Sequence, residues 1–592
     1  MAVTKGLREY CGEHRYRCYL LCVLAAGFFL RLFYIGNIPG NTAIYVDEAY
    51  SGYESWCMLH FGHDSMGFVR PVYLETWGSG MSVMASLVCM PFIALFGLTT
   101  FAVRLPRAIV GCLGLLAFYG ICKETRGKKF ALYAVFVMAL MPWDIMMSRW
   151  GLDCNYLYEF VLFATYFLVR AVRDQRFLVP AMLFYGLSLY CYAAGWTVMP
   201  IIIVGGLLYL LCTRQIRLDR WLVFSVLLFC VLAVPLLLFI AVNYDLLPQM
   251  NLGIVSIPKM ESFRSDEISM APKEILKRMY DTLERFVSQD DGRVSNATPM
   301  FGLFYKFAYP LMFLGLGSSL YGLRRYFQSS AAAGAEGKSD RTSFKSLKEA
   351  GESEETAAEN GSSDVQGTEN RVAIRCGKAQ VQPKVSGTEG IFWLWLLAGV
   401  VLGGLIVAYF NRINLIMVPI TYFVALGGYA LIEMLGSRMK YVLAVTYTAC
   451  AIAFCGYYCT YADDTIAENY RDGFKDALSY AHSVETEDTT IHLISDLGYP
   501  LILFYDRVNP EEYQKSVQYL EGGFSNELSL YPVSFLNFDT SWPAKMGADG
   551  YPEVKKGDVY IAMHTDESAM QFMQDAGMEI THFNTIAVGV AK

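Results

Sequence analysis

Two acidic clusters and three arginines stand out in an otherwise apolar chain. Tyr45-Val46-Asp47-Glu48-Ala49-Tyr50 sets adjacent carboxylates just beyond a first apolar run. A carboxylate at a membrane surface can act as general base, taking the proton of an acceptor hydroxyl. The same pair at a helix start can instead cap the helix and complement its dipole. Ser148-Arg149-Trp150-Gly151-Leu152-Asp153-Cys154-Asn155 joins two later apolar runs. Asp153 is there either a second acid that orients an acceptor or holds a cation, or the i,i+4 ion-pair partner of Arg149. Val103-Arg104-Leu105-Pro106-Arg107 and Asn411-Arg412-Ile413-Asn414 each open an apolar run. A guanidinium fork fits a phosphate bidentately, and a helix N-terminus adds to the attraction. Arginines at such places also simply mark the membrane interface.

Other residues carry weaker signals. Tyr45, Tyr50, Tyr53, Trp56, Tyr73 and Trp77 crowd the segment after the first run, where aromatic rings suit either a sugar or an interfacial belt. His60 and His63, three apart, could be metal ligands but read more simply as a solvated loop pair, and Asn296-Ala297-Thr298 matches a glycosylation acceptor. The 15 cysteines fall almost entirely in apolar runs or at their ends, as small core hydrophobes rather than a disulfide framework. No metal-ligand spacing such as C-x-x-C occurs, and no cofactor is expected. A divalent metal at Asp153 or Glu48 is allowed but not indicated.

The elements that must position these residues follow from composition. Of 592 residues, 54% are hydrophobic and 17% charged, against about 25% charged in soluble proteins. The charge is missing in blocks, in about twelve apolar runs long enough for a hydrocarbon core of ~30 Å. This excludes a soluble enzyme, a secreted disulfide scaffold and a nucleic-acid binder. The net charge of −7 is uninformative as a sum over two sides of a membrane. Basic clusters at 123–129, 170–176, 214–220, 324–325 and 438–440 are cytoplasmic by the positive-inside rule. The segments 37–77, 149–156, 192–198, 244–300, 409–414 and everything after about 462 then face outward. The runs 78–97 and 103–122 break this parity. Gly78, Gly80, Gly97 and Pro91 make 78–97 the re-entrant or interfacial one, leaving eleven crossings with Arg104 and Arg107 outside; thirteen also satisfy parity.

The predicted fold is therefore mainly α, a polytopic helical membrane protein of eleven to thirteen crossings with a small extracytoplasmic α/β domain. Residues 1–18 form a cytoplasmic N-terminus and 19–326 a membrane catalytic module with outer loops 37–77 and 244–300. Residues 327–390, poor in large apolar side chains, form a disordered cytoplasmic insert. Residues 391–461 supply the last membrane helices, and 462–592 the outer domain. In that domain a helix is expected over Tyr470–His482, strands over Thr490–Ser495, Asp558–Met563 and Ile580–Val590, and a helix over Glu567–Ala576.

The acidic pair after the first helix, Arg-Leu-Pro-Arg at 104–107, Ser148-Arg149-Trp150-x-x-Asp153-x-Asn155 and Asn411-Arg412-Ile413-Asn414 resemble the GT-C glycosyltransferases, in particular the protein O-mannosyltransferases and the lipid A aminoarabinose transferases. Gly78-Ser79-Gly80 after Trp77, and Pro142-Trp143 before Ser148, look like a bacterial branch of that group. The resemblance covers roughly 15–460. It implies transfer of a sugar from a polyprenyl-phosphate donor to an acceptor hydroxyl on the extracytoplasmic face of the cell membrane, with inversion. The acceptor would be a glycan, a lipid or a protein. Carried onto this chain, Asp47 is the base with Glu48 in support, and Asp153 is the second acidic residue. Arg104, Arg107 and Arg412 meet the donor phosphate, while Tyr50, Trp77, Arg149, Asn155 and Asn411 bind substrate. The aminoarabinose transferases carry Lys-Pro-Pro where this chain has Leu74-Glu75-Thr76-Trp77-Gly78, which argues against lipid A as acceptor. The rival readings are a transporter or flippase, or a ligase, for lipid-linked saccharides. A transporter would be favoured by charges buried at helix centres, of which few are expected.

Overall fold

The computed structural model describes residues 15–77, 79–260, 271–336, 387–519, 532–541 and 554–592. Gly78 and positions 337–386 of the expected insert lie outside the described residues.

The membrane part contains α1 (Arg15–Leu32), α2 (Val46–His60), α3 (Met84–Phe96), α4 (Thr100–Arg126), α5 (Lys128–Ala139), α6 (Pro142–Ser148), α7 (Asp153–Ala171), α8 (Leu178–Ser188), α9 (Met199–Cys212), α10 (Arg220–Asn243), α11 (Pro272–Ser288), α12 (Ala308–Glu336), α13 (Gly390–Leu405), α14 (Met417–Leu435) and α15 (Met439–Tyr457). Among the described residues, five helical stretches are long and apolar enough to cross a membrane by themselves, and α5 with α6, bent by 65°, is either a broken sixth span or a re-entrant loop. α1, α7, α8, α9 and α12 occupy the other expected runs. They are shorter or more polar; α7 turns Asn155, Glu159 and Thr165 into the protein. α3 has 13 residues, about 20 Å of helix, which falls short of a ~30 Å hydrocarbon core.

Two boundaries differ from expectation. α12 continues ten residues into the expected insert, through Ala331-Ala332-Ala333, because alanine is the strongest helix former. At the other edge Glu389 is fully buried and pairs with Arg126 at 2.7 Å, so it belongs to the folded module. α12 and α14 touch backbone to backbone: a Cβ on Gly315 would lie 1.8 Å from the Phe423 carbonyl oxygen, and one on Gly427 1.7 Å from that of Leu311. Small residues that let helix backbones meet are a membrane packing device.

Charges are also buried between helices, contrary to expectation. Arg31 of α1 pairs with Asp144 of α6, and Arg107 of α4 with Glu159 of α7 at 3.3 Å. Tyr158 links them, donating to Asp144 at 3.2 Å and accepting from Arg107. The partners are 113 and 52 residues apart, so no local spacing announces them.

The C-terminal domain is a seven-stranded mixed sheet in the order β10-β11-β9-β5-β8-β7-β6, comprising β5 (Ile491–Leu493), β6 (Gln518–Tyr519), β7 (Pro532–Phe535), β8 (Phe538–Asp539), β9 (Val559–Met563), β10 (Glu579–Phe583) and β11 (Ile586–Val590). Short ladders β1–β2 (Tyr73–Leu74, Met81–Ser82) and β3–β4 (Met250–Asn251, Ser256–Ile257) lie in the membrane part's loops. The expected strand over 580–590 is instead a hairpin, turned by Asn584 at φ 45°, a left-handed conformation asparagine tolerates. Further helices are α16 (Asp463–Asn469), α17 (Phe474–Val484), α18 (Tyr499–Asp506), α19 (Pro510–Ser516) and α20 (Glu567–Asp575). α18 lies on α2: Tyr53 donates to the Val508 carbonyl at 2.7 Å, and the Trp77 amide donates to the Tyr499 hydroxyl at 3.2 Å.

Candidate active site

The two adjacent carboxylates of α2 have different fates. Tyr45 precedes the helix in an extended conformation, and Glu48 reaches back to accept its amide at 3.2 Å. Glu48 is thereby pinned inside. It also accepts the Gly151 amide at 2.7 Å and Arg104 at 2.9–3.3 Å, and both side chains are fully buried. Gly151 leaves room for this contact, since a Cβ would stand a tight 3.1 Å from the carboxylate and 3.3 Å from the Val103 carbonyl. Asp47, one residue earlier and about 100° round the helix, lines a cavity of about 640 Å³.

Asp153, Cys154, Trp77, Asn411 and Arg412 line that same cavity. Asp153 opens α7, accepting the Cys154 amide at 2.6 Å. It lies close enough to Asp47 to feel its charge, and to Arg412 to be attracted by it. The expected Arg149–Asp153 pair does not form. Arg149 donates instead to the carbonyls of Leu30, Arg31, Phe33 and Ile38 at 2.7–3.2 Å. These include the last carbonyls of α1, which have no partner within the helix and no water in a bilayer. Arg104 does the same for Pro39 and Ala43, at 2.6 and 3.0 Å. The loop leading to Asp47 is thus clamped by two buried arginines.

Several assignments are therefore corrected. Glu48 does not reach the cavity, because its charge is spent on Arg104. Arg104 and Arg107 of α4 are buried in ion pairs with Glu48 of α2 and Glu159 of α7 and are not placed to meet a phosphate. Tyr50 is buried and donates to the Glu75 carbonyl, with Ser65 3.2 Å away. Asn155 is buried too, donating to the Trp150 carbonyl at 2.9 Å and accepting from Asn414 at 3.0 Å. Tyr50, Arg149 and Asn155 support the site rather than line it.

Tyr73, one of the first-loop aromatics, lines the cavity too. Other residues were not legible beforehand: Tyr192, Trp196 and Tyr244 extend the aromatic wall, and Ile240, Leu405 and Ile406 add an apolar one. Beside the cavity, Arg412, Arg285 and Arg293 gather on the ring of Tyr409, with guanidinium carbons 5.6, 5.1 and 4.0 Å from its centre. Asp291 and Asn296 brace this corner: Asp291 accepts the Phe410 amide at 2.8 Å, and Asn296 donates to Asn411 at 3.2 Å. Asn296 is fully buried. Among the described residues no group of three or more His, Cys, Asp or Glu is placed to hold a metal.

Residues 81–239 match the family model described as dolichyl-phosphate-mannose-protein mannosyltransferase. YkcB of Bacillus subtilis (strain 168), a protein named for mannosyl transfer, is 28% identical over 162 residues, which is 26% of this chain and 21% of that protein. The match thus spans about a fifth of that relative's length. Solved structures similar to this one include ArnT from Cupriavidus metallidurans bound to undecaprenyl phosphate (12% identity, 96% and 97% of the two chains, TM-score 0.49). Another is the oligosaccharyltransferase AglB of Archaeoglobus fulgidus with an inhibitory peptide and a dolichol-phosphate (13% identity, 92% and 62%, TM-score 0.44). The family match takes in α4 to α7, the helices that hold Asp153 and clamp the Asp47 loop.

Proposed function

We propose that this chain transfers a sugar from a polyprenyl-phosphate donor to an acceptor hydroxyl on the extracytoplasmic face of the cell membrane, with inversion. The observation that supports the reading is the convergence of Asp47, Asp153 and Arg412 on one cavity with an aromatic and an apolar wall. The apolar wall, from α10 and the end of α13, suits the lipid; the aromatic wall suits the sugar. Arg412, with Arg293 and Arg285 beside it, faces the donor phosphate. Asp47 takes the acceptor proton as the acceptor oxygen attacks the anomeric carbon. The bond from that carbon to phosphate oxygen breaks, the electron pair leaves with polyprenyl phosphate, and arginine stabilises the growing charge. The activated sugar arrives on its lipid, so the reading needs no nucleotide and no cofactor.

The buried quartet Arg31, Asp144, Arg107 and Glu159 is what a transporter reading would use. Its charges are matched within the quartet, away from the cavity, which favours the transferase.

The test is transfer by full-length protein in lipid, from a panel of labelled polyprenyl-phosphate sugars to an envelope acceptor fraction. Asp47→Asn should retain its fold and lose at least about 10²-fold in rate, the usual contribution of a general base. A folded variant with near wild-type transfer would refute the assignment.

A further inference from the structure

A second cavity, of about 460 Å³, lies where the C-terminal domain meets the loop end of the bundle. It is separate from the Asp47 cavity and shares no lining residue with it. One wall is the Gly36–Ala43 loop and the start of α4; the other is the beginning of α17 and the end of α18. The second wall carries three cations, Arg471, Lys475 and Arg507, and two acids, Asp472 and Asp476. Asp472 already accepts from Asn41 and Asn584 at 3.1 and 3.0 Å. Arg471 lies 4.0 Å from the exposed Asp496 carboxylate, whereas among the described residues neither Lys475 nor Arg507 takes part in an ion pair. Arg471 is held at φ 58°. Two of its nitrogens are tied to the Asn469 and Asp496 carbonyls at 2.6 and 2.8 Å, while its buried Nε has no hydrogen-bond partner. The N-terminus of α17 opens into the same space, behind Gly473 and without a side-chain cap.

The bundle wall shows where this cavity stands. Phe101 lines it, packs edge-on against Phe96 at 5.2 Å and touches Gly36. Phe33 and Tyr34, at the end of α1, are more than half exposed, and Leu95 is 75% exposed. Exposed aromatic and aliphatic side chains at the ends of membrane helices mark the bilayer interface. The cavity therefore faces the headgroup layer, with apolar side chains below and cations above.

We propose that this cleft binds the phosphate of an anionic phospholipid headgroup, held by Arg471, Lys475 and Arg507, with the acyl chains along Phe33, Phe96 and Phe101. Such a lipid joins the C-terminal domain to the bundle at the membrane surface. The proposal does not depend on the donor or acceptor of the reaction.

Native mass spectrometry of the full-length protein, released from detergent with phosphatidylglycerol or phosphatidylcholine, tests it. Wild type should retain one more phosphatidylglycerol than the Arg471→Gln/Lys475→Gln/Arg507→Gln variant, and its apparent affinity should be about tenfold higher. Lys475→Gln alone, at an exposed position, should give a smaller loss in the same direction. This single variant answers the question if the triple variant misfolds, and hydrogen exchange of α17 reports folding in both. Competition by millimolar glycerol 3-phosphate would identify a free phosphate ester as the source, and resistance to it the lipid headgroup. Equal retention of phosphatidylglycerol by wild type and both variants, or equal retention of phosphatidylcholine, would overturn the proposal.

Discussion

Replacing Glu48 by glutamine separates two neighbouring carboxylates that sequence alone treats as one unit. The change preserves volume and one acceptor oxygen but removes the charge that faces Arg104, leaving a fully buried guanidinium among neutral acceptors, the Pro39 and Ala43 carbonyls and the amide oxygen. Removing one partner of a buried ion pair costs ~3–5 kcal/mol. Because those two carbonyl bonds persist, the lower end applies, about 3 kcal/mol. With an unfolding entropy of ~2.1 cal/mol/K per residue over 592 residues, each kcal/mol moves the melting temperature by about 0.8 °C, so it should fall by about 2–3 °C. The assay is thermal melting of the full-length protein by size-exclusion recovery, for wild type, Glu48→Gln, Arg104→Met and the double variant. The double variant should lose less than the two singles added together, since it leaves no unmatched charge. Transfer per folded molecule should stay well above that of Asp47→Asn. Should Glu48→Gln melt like wild type and yet lose transfer as completely as Asp47→Asn, Glu48 would be a chemical participant and the clamp argument would fail.

Arg412→Ala should raise the KM for a polyprenyl-phosphate sugar and lower kcat as well, if arginine meets the phosphate in both ground and transition states. Arg293→Ala should show the same pattern more weakly, in titrations of donor. Gly315→Ala forces a methyl into the Phe423 carbonyl and should destabilise by ~1–3 kcal/mol or more, read as lost size-exclusion recovery on heating. His482 sits between Asp506 at 2.9 Å and Glu485 at 3.1 Å, and these partners raise its pKa to about 9. The folded state therefore holds this proton more tightly than the unfolded chain. The stabilisation is complete below pH ~6.5 and is lost as pH rises through about 9. Hydrogen exchange in α17 should speed up over that window, and His482→Gln should remove the pH dependence.

The sequence held much of this site, though unevenly. Asp47, Trp77, Asp153, Asn411 and Arg412 were legible because polar residues bounding apolar runs are costly and therefore informative. Glu48 and Arg104 were legible as charges but not in role, since their mutual contact spans 56 residues and nothing in either motif announces the other. The same distance problem hid the Arg31–Asp144 pair and the arginines around Tyr409. In the C-terminal domain the helix over Phe474–Val484 and the strands at 491–493 and 559–563 follow their apolar periodicity. The hairpin at 579–590 was hidden because Asn584 and Thr585 interrupt a run whose alternation continues on both sides.

The packing of α18 on α2 bears on how such a chain can be inherited. Val46, Tyr50 and Tyr53, on the helix that carries Asp47, complete their burial only together with side chains contributed after residue 497. The two halves of that interface meet across 455 residues of sequence at the Tyr53–Val508 contact, so a recombination that exchanged the C-terminal domain for another would strip the cover from the helix beneath it. Exchange of the C-terminal domain is thus constrained to partners that bring a matching α2, and the first loop and the last domain are expected to diversify as a unit.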